Sequence, residues 1–281
     1  MPFETLVTVD ELAAHLDAPQ WIVFDCRHDL ADVAKGERAY HEAHIAGARF
    51  AHLDRDLSGS KTGTNGRHPL PEPLAFAHWL GSAGVDSTKQ VNAYDDAGGA
   101  FAARLWWLLR WTGHRAVAVL DGGWGAWLNA RRPTSAAIPA TLPARFERRP
   151  DSSMIVDAAK LAEGLDAATL CLIDARSPDR YRGENETIDP MAGHIPGALN
   201  RFFKDNLGAD GRFRTAAELR AAFERLVACR PASEIVNQCG SGITACHNLL
   251  AMEIAGLPGA RLYPGSWSEW CSDPRRPVAK G

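Results

Sequence analysis

The chain has no paired cysteines. Its six, at positions 26, 171, 229, 239, 246 and 271, are scattered and form no Cys-x-x-Cys. That spacing argues against a zinc site and, in a chain this long without a secretory signal, against a disulfide framework. Long apolar runs are missing too, and none approaches the ~20 residues that a membrane span requires. Basic runs are absent and the formal net charge is −3, so binding nucleic acid by neutralising phosphates is not expected. The opening residues, MPFETLVTVDEL, show no charged segment followed by an apolar one, so no signal peptide is expected. What remains is a reduced, cytoplasmic globular protein with no cofactor or metal and neither membrane nor nucleic acid among its partners.

The composition suits that reading: 46% of 281 residues are hydrophobic and 23% charged. On a prior of ~100–200 residues per domain, the length allows two modest domains. Val7-Thr8-Val9-Asp10-Glu11-Leu12 opens a helix capped by Asp10 or Thr8. Trp21–Phe24, Gln90–Tyr94 and Ala116–Leu120 read as buried strands, each closing on aspartate. Residues 55–73 read as a surface loop, and a helix apolar nearly all round runs from about Ala100 to Trp111. Strands alternating with helices make this an α/β chain with mainly parallel central sheets flanked by helices.

The same landmarks then recur. Leu170-Cys-Leu-Ile-Asp174-Ala-Arg176 repeats Ile22-Val-Phe-Asp25-Cys-Arg27, and Gly193-His194-Ile-Pro-Gly197 repeats Ala43-His44-Ile-Ala-Gly47. From aspartate to histidine is 19 residues in the first copy and 20 in the second. Ile235–Cys239 aligns with Val91–Asp95, and Trp267 and Trp270 align with Trp124 and Trp127. Four landmarks in one order indicate a duplicated domain: 1–133, an extended proline-bearing linker over 134–150, and 151–281.

The second copy carries the chemistry. Ile235-Val236 leads into Cys239-Gly240-Ser241-Gly242, and a buried helix follows over Ile243 to Ala255. A glycine loop between strand and helix turns backbone N–H groups inward and adds the positive end of a helix dipole, an arrangement that activates a thiol. Cys239 is therefore the candidate nucleophile, whereas Cys246 inside the helix reads as core. The first copy has Asp95 at the loop mouth and should lack a nucleophile. His44 and His194 recur in both copies and read as structural, and Arg27 and Arg176 recur as partners of carboxylates. A cysteine phosphatase would need an arginine six residues after its cysteine, where this chain has Ala245.

With Cys239-Gly-Ser-Gly-Ile-Thr-Ala-Cys246, two copies, and the paired histidine and tryptophan landmarks, the chain resembles the two-domain rhodanese-type sulfurtransferases. Its loop is similar to that of the 3-mercaptopyruvate sulfurtransferases, the thiosulfate enzymes usually carrying a more basic one. The resemblance implies two tandem rhodanese-like domains and a sulfur passed from a small donor to a thiol or cyanide acceptor through a Cys239 persulfide. A thioredoxin-like reductant is among the acceptor candidates. The alternatives are a thiosulfate donor or a non-catalytic sulfur carrier. It further implies Arg180 as a clamp for the donor's carboxylate, and Gly240, Gly242, Ile243 and Thr244 as the binding loop. It implies a relay of Asp54, His68 and Ser241, and a second arginine nine residues after Arg180, where this chain has none.

Overall fold

The computed structural model describes residues 2–281 and divides into two compact units. Of the described residues, unit 1 comprises 2–59, Pro71–Asp151 and Ala209–Arg212; unit 2 comprises Ser60–Leu70, Ser152–Gly208 and Phe213–Gly281. The eleven residues from Ser60 to Leu70 lie in the first half of the chain yet fold with the second.

In unit 1 the strands are β1 (Leu6–Val7), β2 (Trp21–Asp25), β3 (His44–Ile45), β4 (Arg49–Phe50), β5 (Gln90–Tyr94), β6 (Val117–Leu120) and β7 (Thr134–Ser135). The main sheet runs β1-β6-β5-β2-β4 with every pairing parallel. Helix Ala102–Trp111 has Arg104, Trp106 and Trp107 at 0–1% exposure, so its tryptophans are core and not a binding platform. The first helix, Val9–Ala13, is capped by Thr8 and not by Asp10. The Thr8 hydroxyl accepts from the Glu11 N–H while the Glu11 carboxylate takes the Thr8 N–H, a reciprocal pair unavailable to Asp10, which lies two residues on and inside the first turn.

Segment 134–150 is extended, but it is stitched to unit 1. β7 pairs antiparallel with β3, the Ala144 N–H donates to the Gly81 carbonyl at 2.8 Å, and Phe146 is buried. A Cβ on Gly81 would meet the Ala144 oxygen at 2.6 Å, so this glycine lets the segment lie close.

Unit 2 holds β8 (Cys171–Asp174), β9 (Leu199–Asn200), β10 (Ile235–Gln238) and β11 (Arg261–Leu262), ordered β11-β10-β8-β9 and again wholly parallel. An Ile155–Leu262 bridge sits where β1 meets β6 in unit 1. β10 is buried along its length, and the helices Ala216–Val227 and Thr244–Ile254 pack apolar side chains with it.

The repeat is visible atom by atom. Arg27 donates to Asp25 (2.6 Å) and to the Ala43 carbonyl (2.6 Å), with its guanidinium 4.6 Å from the Trp124 ring centre. Arg176 donates to Asp174 (2.6 Å) and the Gly193 carbonyl (2.8 Å), 4.8 Å from Trp267. A buried pair of this kind holds only when hydrogen bonds and a ring face satisfy the guanidinium. His44 stacks on Tyr40 and His194 on Tyr181, each bonding the backbone oxygen of the tyrosine it covers (2.7 and 2.8 Å). All six cysteines are free thiols, and no helix among the described residues is long and apolar enough to cross a membrane.

Candidate active site

β10 delivers Cys239 at its carboxyl end, the edge of a parallel sheet where ligands usually bind. The thiol is 2% exposed. Its sulfur receives the N–H of Ser241 (3.4 Å) and of Gly242 (3.1 Å), and helix Thr244–Ile254 begins directly behind. Two converging N–H groups ahead of a helix dipole favour negative charge on that sulfur. The turn depends on Gly242, whose φ is +79° and whose added Cβ would collide with the Pro264 carbonyl. Neighbouring chain fastens the loop: Ser266 Oγ accepts the Cys239 N–H (3.1 Å), Trp267 N–H donates to the Cys239 carbonyl and Ser268 N–H to that of Gly240 (both 3.0 Å). Ile243 is buried at the helix start, Thr244 is partly buried, and Cys246 is fully buried with its thiol 3.3 Å from the Gly242 carbonyl.

His68 arrives on the Ser60–Leu70 segment. Its Nδ1 lies 2.7 Å from Ser241 Oγ, with both residues only 5–6% exposed. The structure thus joins Cys239, Ser241 and His68 within unit 2. Asp54 belongs to unit 1, in a turn where its N–H donates to His52 Nδ1 at 3.1 Å.

Arg180 is already engaged. Nε and Nη2 donate to Glu186 (2.8–3.1 Å), and Nη2 also reaches Asp189 (3.1 Å), both carboxylates being 2% exposed. The other oxygen of Asp189 pairs with Arg67, a residue that sequence reasoning missed. Two signals in the sequence point to it: Arg67 immediately precedes His68, and Asp189 occupies the place, nine residues past Arg180, where the resemblance implies an arginine. Burial pushes the Arg67 guanidinium's pKa below its ordinary value, opposed first by the nearby Cys239 charge. Both guanidiniums lie over Gly240, where an added Cβ would stand 2.8 Å from Arg67 Nη2 and 3.5 Å from Arg180 Nη1.

Unit 1 shows the same loop closed on itself. The buried Asp95 carboxylate accepts the N–H groups of Ala97, Gly99, Phe101 and Ala102, each at 2.8 Å. The cradle that faces a sulfur in unit 2 is here filled by the chain's own anion.

The family model for the rhodanese-like domain matches residues 8–130 and again 157–273. The chain is 51% identical over 278 residues to a probable 3-mercaptopyruvate sulfurtransferase of Pseudomonas aeruginosa, spanning 98% of each chain. It is 35% identical over 280 residues to a putative thiosulfate sulfurtransferase, SseB, of Mycobacterium tuberculosis, with 99% of this chain and 98% of that one covered. Among solved structures it is similar to the 3-mercaptopyruvate sulfurtransferase from Leishmania major, with a TM-score of 0.84, 30% identity, and coverage of 95% of this chain and 74% of that one. It is also similar to SseA from Escherichia coli, with a TM-score of 0.81, 29% identity, and coverage of 93% and 98% respectively.

Proposed function

The chain belongs to the family of rhodanese-like domains, and from that membership we propose that it is a sulfurtransferase that takes sulfur from 3-mercaptopyruvate onto Cys239. The observation that carries this reading is the Cys239 sulfur itself, which receives the Ser241 and Gly242 N–H groups at the end of β10. The thiolate attacks the donor's sulfur, the carbon–sulfur bond breaks, and its electron pair remains on carbon as the pyruvate enolate. The proton of the donor's thiol ends on that carbon, giving pyruvate and a Cys239 persulfide anion. Ser241 and His68, hydrogen-bonded at 2.7 Å, are a short route for such a proton. The two N–H groups stabilise the anion as a thiolate and again as the persulfide. A thiolate, such as that of a thioredoxin-like reductant, or cyanide then takes the outer sulfur and returns the thiolate, which makes the kinetics ping-pong.

The charge balance supports a monocarboxylate donor. Arg67, Arg176 and Arg180 meet Asp174, Glu186 and Asp189, three cations against three anions, so no surplus charge awaits a dianion such as thiosulfate. Unit 1, with Asp95 filling its own cradle, contributes no nucleophile in this reading. A reducing cytoplasm suits a protein that must keep its thiol free between turnovers.

The test is kcat/KM for mercaptopyruvate and thiosulfate side by side, with mass spectrometry after donor treatment. Mercaptopyruvate should be preferred, and the peptide carrying Cys239 should gain about 32 Da, one sulfur in a covalent intermediate. A preference for thiosulfate would refute the donor assignment. Persulfide on another cysteine would refute the mechanism, and persulfide without turnover would indicate a sulfur carrier.

A further inference from the structure

The repeat shows what the fold asks of position 49. Arg49 on β4 pairs with Phe24, one residue before Asp25, and in unit 2 Leu199 on β9 pairs with Ile173, one residue before Asp174. The turns ahead of them match too: the Tyr40 hydroxyl donates to the Ala48 carbonyl (2.8 Å) as the Tyr181 hydroxyl does to that of Ala198 (2.6 Å). A leucine satisfies the architecture, and unit 1 carries a cation in its place. That cation is unpaired. Among the described residues, the Arg49 side chain makes no hydrogen bond or ion pair, and its Nε is buried. Burial pushes its pKa below the ordinary value, and no carboxylate is among the groups that oppose the shift. Nη2 lies beside the Ser82–Gly84 turn, 3.6 Å from where a Cβ on Gly84 would stand. There the carbonyls of Trp79, Leu80 and Gly81 already accept the N–H groups of Ala83, Val85 and Gly84. A buried charge left without a partner is costly, so its retention where leucine would serve points to a ligand.

Arg49 lines a cavity of about 310 Å³ that it shares with Phe50, Ile138 and Pro139 and with the pair Glu37 and Arg55. The wall formed by residues 138–141 is anchored at both ends, His44 Nε2 lying 3.2 Å from the Ala137 carbonyl and the Ala144 N–H donating to Gly81. Glu37 binds Arg55 at 3.0 and 3.3 Å, so those two charges cancel. One positive charge remains, flanked by apolar surface that includes Ile138 at 66% exposure. We propose that unit 1 holds a second binding site, centred on Arg49, for a small monocarboxylate with a short apolar body. The guanidinium fork matches a carboxylate in plane and spacing. A phosphate dianion would bring a second charge beside Glu37 with no cation to meet it. The volume is at the small end for ligand cavities, which limits the apolar body to a few carbons. The site shares no residue with the Cys239 site and does not depend on which donor Cys239 takes.

The test uses the full chain and two probes of one shape, 4-methylpentanoate with a carboxylate and 4-methylpentanamide without a charge. Amide chemical shifts are followed by NMR, so that binding at residues 37–55 and 138–141 is read apart from any binding at residues 240–243. The carboxylate should shift the first set with a dissociation constant on the order of a millimolar, and the amide should bind at least about tenfold more weakly. Arg49→Leu, which installs the residue that unit 2 carries, should weaken the carboxylate at least about tenfold, the loss of a charge-assisted contact. Arg49→Lys keeps the charge without the fork and should fall between the parent and Arg49→Leu. Arg49→Leu should also melt no lower than the parent, because it removes an unpaired buried charge, and its sulfur transfer should be unchanged. Equal binding of the two probes, any other order of the three proteins, or no saturable shift in the first set at about fifty times the expected dissociation constant would overturn the proposal. A lower melting temperature in Arg49→Leu would overturn it too, since the cation would then be structural.

Discussion

Ser241→Ala separates the two tasks that this residue performs. Its backbone N–H lies 3.4 Å from the Cys239 sulfur, and its hydroxyl 2.7 Å from His68 Nδ1. Alanine keeps the first contact and deletes the second. Mercaptopyruvate needs a proton delivered to carbon as pyruvate leaves, whereas thiosulfate releases sulfite with no proton transfer. General acid–base assistance is typically worth 10²- to 10⁴-fold, so kcat for mercaptopyruvate should fall about 100-fold, roughly 2.7 kcal/mol of barrier. Thiosulfate turnover, however slow, should change by less than about threefold, since the N–H cradle is intact. The lost buried hydrogen bond costs folding about 1–2 kcal/mol, too little to unfold a domain of ordinary stability. Steady-state kinetics with cyanide as acceptor and each donor in turn measures both numbers. An equal fall with both donors would mean that the hydroxyl only holds the loop, and no fall with mercaptopyruvate would remove Ser241 from the proton path.

Other perturbations follow the same geometry. Cys239→Ser should abolish transfer from every donor and Cys246→Ser should retain most activity, because the second thiol is fully buried in the helix against the Gly242 carbonyl; a persulfide assay on both variants checks this. Gly242→Ala should cost about 1–3 kcal/mol in thermal denaturation and most of the activity, since φ is +79° and the new Cβ meets the Pro264 carbonyl. Asp95→Asn sets an amide NH₂ against two of four inward N–H donors, so unit 1 should lose about 2–4 kcal/mol, read as faster hydrogen exchange in residues 97–102. A fragment starting at Ser152 carries Cys239 but lacks Arg67 and His68, which fold with unit 2 from the other half of the chain; its kcat/KM should be below about 1% of the full chain's.

The duplication was legible because periodicity and landmark spacing are local properties of a chain. Asp25 and Asp174, His44 and His194, and Trp124 and Trp267 stand in one order in both copies, and each pair makes the same contacts. The Cys239 loop was legible for the same reason, since strand, glycines and helix follow one another without interruption. What lay beyond sequence reading was whatever depends on segments distant in the chain. Composition cannot tell that Thr134–Ser135 pairs with His44–Ile45, because a two-residue strand has no period and is stabilised by its partner. The resemblance paired His68 with Ser241, but spacing does not reveal that the whole Ser60–Leu70 segment folds with unit 2 and carries Arg67 to Asp189 across 122 residues. Nine residues after Arg180 the chain carries Asp189 and no arginine. A guanidinium can reach one place from either side of an ion pair, and that choice is made by packing in three dimensions.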